Sequence, residues 1–300
     1  MWLAYAFASA GFAGVTAILA KIGIKNTDSN LATAIRTVVI LIFSWLMVFI
    51  VGSQNTIAMI EIKTLVFLIL SGFATGASWL CYFKALQLGD VNKVTPIDKS
   101  SIILTMLFAF LILGEPITWM KAVSMVAIGT GTYMMIELKK KSTQAETEKL
   151  GENAKEENKS TDLRWMIYAA FSAVFASLTS ILGKIGIAGV ESNLGTAIRT
   201  IVVLIMAWVV VFVLKKQDGL RHIDKKSWIF ICLSGITTGL SWLCYYKALQ
   251  EGQASVVVPI DKLSIVVTIA FSSFILKEKL SKKSTAGLCL IVAGTLLLLV

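Results

Sequence analysis

The segment SWLCYFKALQ at residues 78–87 returns as SWLCYYKALQ at residues 241–250. The repetition is general, because residues 1–137 align without a gap on residues 164–300 at a fixed offset of 163. Roughly 60 of about 137 aligned pairs are identical, and self-similarity of this kind indicates a duplicated structural unit. We therefore predict two copies of one unit, residues 1–137 and 164–300, joined by a charged polar tether at residues 138–163.

The composition excludes a soluble domain. Hydrophobic residues make up 56% of the chain, charged residues 15%, and the mean hydropathy is +0.79. Soluble domains are nearer to about 45–50% apolar and about 25% charged. The net charge of +10 comes mostly from Lys and Arg at the ends of apolar runs, a pattern of topology signals and lipid-headgroup contacts. We expect an integral protein of the inner (plasma) membrane of a bacterium, with the lipid bilayer and not nucleic acid as its partner.

Apolar runs long enough to cross a bilayer as helices recur along both copies. They lie near 2–20, 31–51, 64–83, 94–113 and 119–136, and again near 165–183, 194–214, 227–246, 257–276 and 284–300. An odd number of spans in each copy forces the copies into opposite orientations, the commonest plan of secondary transporters. The expected fold is an all-α integral membrane protein with ten transmembrane helices arranged as two inverted five-helix repeats.

The distribution of Lys and Arg between the loops predicts which side of the membrane each loop faces. The side that carries the tether has about 20 such residues, whereas the other side has about four. Cytoplasmic loops of membrane proteins are enriched in Lys and Arg. The four are Lys63, Lys121, Lys184 and Lys247. The pattern predicts a cytoplasmic tether and both termini outside.

Six charged residues lie inside the predicted spans at equivalent positions of the two copies. They are Arg36, Asp98 and Lys99 in the first copy and Arg199, Asp261 and Lys262 in the second. Ionised groups in a span usually face a bundle interior or an aqueous cavity. One interpretation is a cavity that attracts an anionic or zwitterionic solute. The other is an Arg–Asp clamp between helices, with the lysines reaching the headgroups. Both would be duplicated, so the sequence leaves the two interpretations open.

Two aromatic pairs, Trp79 with Tyr82 and Trp242 with Tyr245, stand at positions i and i+3 and so share a helix face. Aromatic residues near the end of a span most often belong to the interfacial belt. Because both pairs are retained in copies expected to face opposite leaflets, a wall or gate of an internal cavity is the alternative. We include all four as candidate cavity residues.

Glycine and proline positions predict local packing. The pairs Gly72 with Gly76 and Gly235 with Gly239 form GxxxG patterns, which favour close helix contact. Pro96 and Pro259 stand near the start of the predicted fourth spans, where the missing backbone N–H is least harmful. We interpret them as helix starts in preference to locally opened backbone.

No catalytic pattern is found in the sequence. It has no Gly-rich phosphate loop, no His-based metal spacing and no Ser or Cys beside the one histidine, His222. We expect no enzyme activity, no cofactor and no metal site. The expected partners are a small-molecule substrate and an unidentified coupling ion, with the chain acting as a monomer or homodimer.

The motifs together resemble a known family. TAIRT at residues 33–37 and 196–200, CYFKAL and CYYKAL, a proline opening the fourth span, and the acidic turns LGEPIT and LKEKLS are similar to those of EamA-type transporters in the drug/metabolite transporter superfamily. The resemblance implies a secondary carrier with a central cavity between its halves, working by alternating access and often exporting amino acids or other metabolites.

Two features depart from that resemblance. The Asp-Lys pair within the repeated segment PIDK, residues 96–99 and 259–262, is not a general feature of the family, so it identifies no substrate. Well-studied ten-span relatives place both termini in the cytoplasm, whereas the loop charges here predict the opposite. We keep the charge-based orientation, because two copies this similar resemble a recently fused five-span protein whose orientation loop charge would fix. The alternative function is a membrane scaffold or sensor that acts through the charged cytoplasmic tether.

Overall fold

All regular structure in the described part of the chain is helical. The computed structural model describes residues 1–24, 27–88, 94, 97, 100–135, 152–275 and 282–299. The first copy contains α1 (Trp2–Gly23), α2 (Ser29–Val51), α3 (Ile62–Leu88), α4 (Ser101–Leu113) and α5 (Trp119–Met135). The second contains α6 (Glu152–Ile187), α7 (Ser192–Val213), α8 (Lys225–Glu251), α9 (Ala254–Lys262), α10 (Ser264–Ile275) and α11 (Lys282–Leu297). The end of the predicted tether, from Glu152, therefore belongs to α6.

Over the residues that the structure describes, six helices are long and apolar enough to cross a membrane, namely α1, α2, α3, α6, α7 and α8. The chain is therefore an integral membrane protein. The other four predicted spans coincide with shorter helices: α4, α5, the pair α9 and α10, and α11. In the described part of the chain none of these five helices is long enough to be counted as a separate span, so the count of ten stays a prediction.

Acidic side chains fix where the second spans begin. Asp28 accepts hydrogen bonds from the backbone N–H groups of Asn30 (2.9 Å) and Leu31 (3.2 Å) at the start of α2. Glu191 accepts the N–H of Leu194 (3.1 Å) at the start of α7. A carboxylate here satisfies unpaired donors and complements the positive end of the helix dipole. The equivalent starts place the two intramembrane arginines about two turns into their helices.

The predicted fourth span of the second copy, 257–276, is two helices. Glu115, in the loop after α4, accepts hydrogen bonds from the N–H groups of Ala254 (2.6 Å) and Ser255 (3.0 Å) and from the Ser255 hydroxyl. This cap starts α9 at Ala254, so Pro259 lies inside the helix. The interpretation of Pro259 as a helix start is therefore wrong, and Pro96 lies outside the described residues. A break at Leu263 separates α9 from α10.

The first helix of each copy packs against the third helix of the other. In the α1–α8 pair, Ser9 Oγ lies 3.1 Å from Ser241 Oγ, and the Thr16 hydroxyl donates to Thr237 at 2.8 Å. Between α3 and α6, the contact of Ser78 with Ser172 (Oγ–Oγ 3.4 Å) is equivalent to the first of these, and the contact of Thr75 with Thr179 (Oγ1–Oγ1 3.3 Å) is equivalent to that of Thr238 with Thr16 (3.5 Å). The partner's number falls as the residue number rises, so both pairs run antiparallel.

The GxxxG glycines allow two further close contacts between copies. A Cβ atom added at Gly72 would lie 2.7 Å from the Val202 Cβ, and one added at Gly235 would lie 2.7 Å from the Val39 Cβ. These distances are shorter than real Cβ contacts, so only glycine lets α3 approach α7 and α8 approach α2 this closely. The prediction of close helix packing at these glycines is confirmed.

Candidate functional site

A cavity of ≈ 370 Å³ lies between the two copies. Its walls are formed mainly by the helices that pack between the two copies, and many lining residues occur as equivalent pairs. The pairs are Ala13 with Ala176, Thr16 with Thr179, Arg36 with Arg199, Thr75 with Thr238, Ser78 with Ser241, and Trp79 with Trp242. The cavity is therefore built jointly by both copies.

Most of the candidate residues lie on this cavity. Its lining includes Arg36, Arg199, Asp261, Lys262, Trp79, Trp242 and Tyr245. Asp98 and Lys99 lie outside the described residues. A membrane-interface belt does not account for the two tryptophans and Tyr245, since they surround the same internal space as the charges.

Tyr82 does not line the cavity, which corrects the expectation that it would share the wall with Trp79. Its ring packs against a small buried cluster formed by Ala85, Val94, Trp165 and Ala169. The residues Trp165 and Ala169 belong to α6, so the tight α3–α6 contact covers Tyr82 in the first copy. Trp79 and Tyr82 do share one face of α3, but α6 covers the part of that face that carries Tyr82.

Arg199 is fixed by side chains of the other copy. It is 2% exposed. Its Nε donates to the Ser71 hydroxyl at 2.9 Å, and its Nη2 donates to the Thr75 hydroxyl at 2.6 Å. The Ser71 hydroxyl donates to the Thr179 carbonyl (2.7 Å) and the Thr75 hydroxyl to the Ser71 carbonyl (3.0 Å). Each hydroxyl gives its one proton to a carbonyl, so its lone pairs are free to accept from the arginine.

Aromatic rings complete the surroundings of Arg199. Its guanidinium carbon lies 5.2 Å from the ring centroid of Trp242 and 4.8 Å from that of Tyr246. Contacts at this distance attract a cation to the ring face. Tyr245 is held beside them by a hydrogen bond from its hydroxyl to Ser180 Oγ at 2.8 Å. The second-copy arginine is therefore immobilised by two hydrogen bonds and two rings.

Arg36 differs from Arg199 although the two are equivalent in sequence. Its buried Nε has no hydrogen-bond partner among the described residues. The equivalents of Ser71 and Thr75 are Ser234 and Thr238. Their hydroxyls donate to carbonyls of their own helix at 2.7 Å, but in the described structure they accept no hydrogen bond from Arg36. Within the described residues, the two copies thus present one fixed arginine and one arginine without a hydrogen-bond partner to the same cavity.

Asp261 is held by polar neighbours other than Arg199. Its Oδ1 accepts a hydrogen bond from the Ser9 hydroxyl at 2.6 Å, and its Oδ2 lies 3.9 Å from Lys262 Nζ. Among the described residues, no ion pair within 4.0 Å joins Arg199 to Asp261. The clamp interpretation is therefore wrong for the second copy. The first-copy clamp cannot be assessed, because Asp98 lies outside the described residues.

The hydroxyl groups were missed by sequence reasoning. Ser71, Thr75 and Ser78 occupy one face of α3 at spacings of four and three residues, and the second copy repeats them. The signal was the pattern SGxxTGxSW at residues 71–79 and 234–242, of which only the glycines and the SW start of the aromatic block were considered. Polar groups repeated on one face of an apolar helix indicate contact with a cavity or another helix.

In the described part of the chain, no three His, Cys, Asp or Glu side chains lie together as ligands of one metal ion would. What the cavity offers is guanidinium, ammonium and hydroxyl donors with aromatic faces. Such groups bind a polar solute and hold it in place.

The chain resembles known proteins over most of its length. The model of the EamA-like transporter family matches residues 1–137 and 163–300. An "uncharacterized transporter in cobO 3′ region" of Sinorhizobium sp. is 41% identical over 136 residues, which are 96% of that protein but 45% of this chain. An uncharacterized protein of Methanocaldococcus jannaschii is 33% identical over 86 residues, 29% of this chain and 63% of that protein.

A solved crystal structure shares the fold. It is 14% identical, has a TM-score of 0.75, and the match covers 99% of this chain and 96% of the other. At this identity the likeness concerns the fold alone. The family model, in contrast, matches both copies of the duplicated unit and leaves out only the tether between them. This chain therefore belongs to the EamA-like transporter family.

Proposed function

We propose that the chain is a secondary transporter that exports a small organic metabolite, polar and anionic or zwitterionic, such as an amino acid. The cavity between the copies carries this proposal, because its lining pairs Arg36 with Arg199 and Trp79 with Trp242. Charged side chains inside a membrane protein are costly and usually mark a substrate or ion pathway.

The proposed architecture is ten spans in two inverted repeats, residues 1–137 and 164–300, with the tether at 138–163 between them. Its support is the antiparallel packing of α1 on α8 and of α3 on α6. The first and third spans of one copy, having odd numbers, run in the same direction. An antiparallel contact between the first span of one copy and the third of the other therefore implies opposite orientations.

Contacts between loops support the same arrangement. Asp28, before α2, lies 3.8 Å from Lys216, which follows α7. In an inverted layout the loop after the first span and the loop after the second span of the other copy lie on the same side of the membrane. By the loop charges this side is the cytoplasm. A parallel layout would separate them by the thickness of the bilayer, about 30 Å.

Alternating access follows from this architecture. The two repeats would exchange their arrangements around a fixed central site, opening the cavity first to one side and then to the other. In the described structure Arg199 is held by the opposite copy while Arg36 is not, and such asymmetry is expected for one of the two arrangements of equivalent repeats. The opposite arrangement would exchange the environments of the two arginines.

The test is solute flux through purified protein in liposomes. Vesicles loaded with a panel of amino acids, organic acids, phosphorylated metabolites and neutral polar solutes should lose one class faster than protein-free vesicles, with saturable kinetics. The panel is measured with and without proton and sodium gradients, so that a coupling ion is detected. Absence of protein-dependent flux for every class under every gradient would overturn the proposal.

A further inference from the structure

We infer that the cavity binds a small organic dianion, whose two negative charges are neutralised by Arg36 and Arg199. This inference rests on the proposed transport function and narrows its solute class. The positive charge of the lining, the unpaired donors of the two arginines and the size of the cavity carry it.

The charges that line the cavity do not balance. In the described part of its lining there are three cations, Arg36, Arg199 and Lys262, and one anion, Asp261. Asp261 is already compensated by Lys262 at 3.9 Å and by the hydroxyl of Ser9. Neither arginine has a carboxylate within ion-pair distance among the described residues. Two positive charges therefore remain among the described lining residues, and uncompensated charge inside a membrane protein is costly.

Both arginines also have donors that the described residues leave without an acceptor. The Nη1 of Arg199 and the Nε of Arg36 are buried without a hydrogen-bond partner in the described part of the chain. Arg199 cannot turn away to satisfy Nη1, because Ser71 and Thr75 hold its other two nitrogens. Guanidinium N–H groups bind carboxylate and phosphate oxygens through short, charge-assisted hydrogen bonds. An anionic group at each arginine would satisfy these donors.

The charge and size of the cavity select within the solute class proposed above. A zwitterion adds no net charge and a monoanion leaves one arginine uncompensated, whereas a dianion neutralises both. The volume of ≈ 370 Å³ lies at the low end of small-molecule pockets, which run from about 300 to about 1,000 Å³. Trp79 and Trp242 supply apolar faces for the carbon chain between the charged groups. Two carboxylates or one doubly ionised phosphate would meet these requirements.

Calorimetric titration of the purified full-length protein tests the inference directly. The probes are succinate as a dicarboxylate, glycerol 3-phosphate as a phosphate monoester, butyrate as a monocarboxylate and alanine as a zwitterion, at equal ionic strength. We expect succinate or glycerol 3-phosphate to bind about 30-fold or more tightly than butyrate and alanine, the loss expected when one buried charged partner is absent. Binding of succinate alone would identify a dicarboxylate site, and binding of glycerol 3-phosphate alone a phosphate site.

Three variants test how the charge of the cavity determines its affinity for a dianion. Arg36→Gln removes one cation and breaks no hydrogen bond in the described structure, so the protein should fold and lose about 30-fold or more in dianion affinity. Asp261→Asn keeps an acceptor for Ser9 but removes the anion, and should tighten dianion binding. Lys226→Gln makes the same charge change as Arg36→Gln on an exposed residue outside the cavity, and should leave affinity unchanged.

The possible failures are distinguishable. Butyrate or alanine binding as tightly as the dianions would overturn the inference while leaving the transport proposal intact. Equal dianion affinity in wild type and Arg36→Gln would overturn it as well. If no probe binds and the liposome panel shows no flux, both the inference and the proposed function are wrong.

Discussion

Arg199 and Arg36 occupy equivalent sequence positions but meet different surroundings. Arg199 donates to two hydroxyls of the opposite copy and lies against two rings, while the Nε of Arg36 has no partner in the described structure. One ring beneath Arg199 belongs to Tyr246, whose counterpart in the first copy is Phe83. The side-chain environment, and not the arginine itself, therefore distinguishes the two halves of the cavity.

This difference predicts unequal effects of one substitution at two equivalent threonines. Thr75→Val should destabilise the protein by about 1–3 kcal/mol, because it leaves a buried charged donor, Nη2 of Arg199, without a partner. Thr238→Val removes a hydroxyl of the same 8% exposure that receives no hydrogen bond from Arg36, and should cost less. The measurement is the thermal unfolding midpoint in detergent. Equal shifts in the two variants would contradict the asymmetry.

The sequence identified many cavity residues but not their partners. Duplication singled out Arg36, Arg199 and the tryptophans, because a feature retained in both copies needs a role independent of the membrane side. It could not reveal that Arg199 is held by Ser71 and Thr75, since these residues lie more than 120 positions away. The duplication also predicted the same environment for equivalent residues in the two copies, whereas two linked repeats do not have to be symmetric in any one conformation.

At the scale of helices, the start of α9 is fixed from outside the predicted fourth span. Glu115 belongs to the first copy, yet it caps α9 of the second through Ala254 and Ser255. Lys184 binds the preceding turn, donating to the carbonyls of Leu249 (2.9 Å) and Gly252. The connection between α8 and α9 is thus held from two other parts of the chain.

Glu115→Gln should weaken this cap. An amide keeps one acceptor oxygen but presents its NH₂ group to backbone donors and loses the charge that complements the helix dipole. We expect destabilisation of about 0.5–2 kcal/mol, the usual range for a lost N-cap. Hydrogen exchange at Ala254 and Ser255 should accelerate. The exposed Glu61→Gln serves as control, and unchanged exchange in Glu115→Gln would show that the cap contributes nothing.

The sequence predicted which long helices would form, but it did not predict where every helix would begin. Apolar run length predicted the six long spans, because that property is local. The start of α9 at Ala254, before Pro259, could not be predicted in this way. It depends on a carboxylate about 140 residues away along the chain, whose loop the sequence identified only as an acidic turn.

At the scale of the whole molecule, the antiparallel contacts of α1 with α8 and of α3 with α6 are the support for inverted repeats. This layout predicts that equivalent loops lie on opposite sides of the membrane. Asn55 and Asp218 are such a pair, both exposed and both in short 3₁₀ helices, Ser53–Met59 and Gln217–His222.

Cysteine labelling of these two loops tests the layout. Asn55→Cys and Asp218→Cys are introduced separately after replacing the native Cys81, Cys232, Cys244 and Cys289. Asn55→Cys should react with an impermeant maleimide in intact cells, and Asp218→Cys only after permeabilisation. The reverse result would keep the inverted repeats and reject the loop-charge orientation. Labelling of both from one side would reject the inversion.

The central claim is that the charged cavity between the two copies carries a solute across the membrane. Efflux of each preloaded probe from liposomes containing wild type, Arg36→Gln or Lys226→Gln, at equal protein content, tests it most directly. We predict saturable efflux with wild type and Lys226→Gln, and efflux reduced about tenfold or more with Arg36→Gln, since one lost charge-assisted contact exceeds 1.4 kcal/mol. Efflux that is equally fast with Arg36→Gln and wild type, or absent for every solute, would contradict the account.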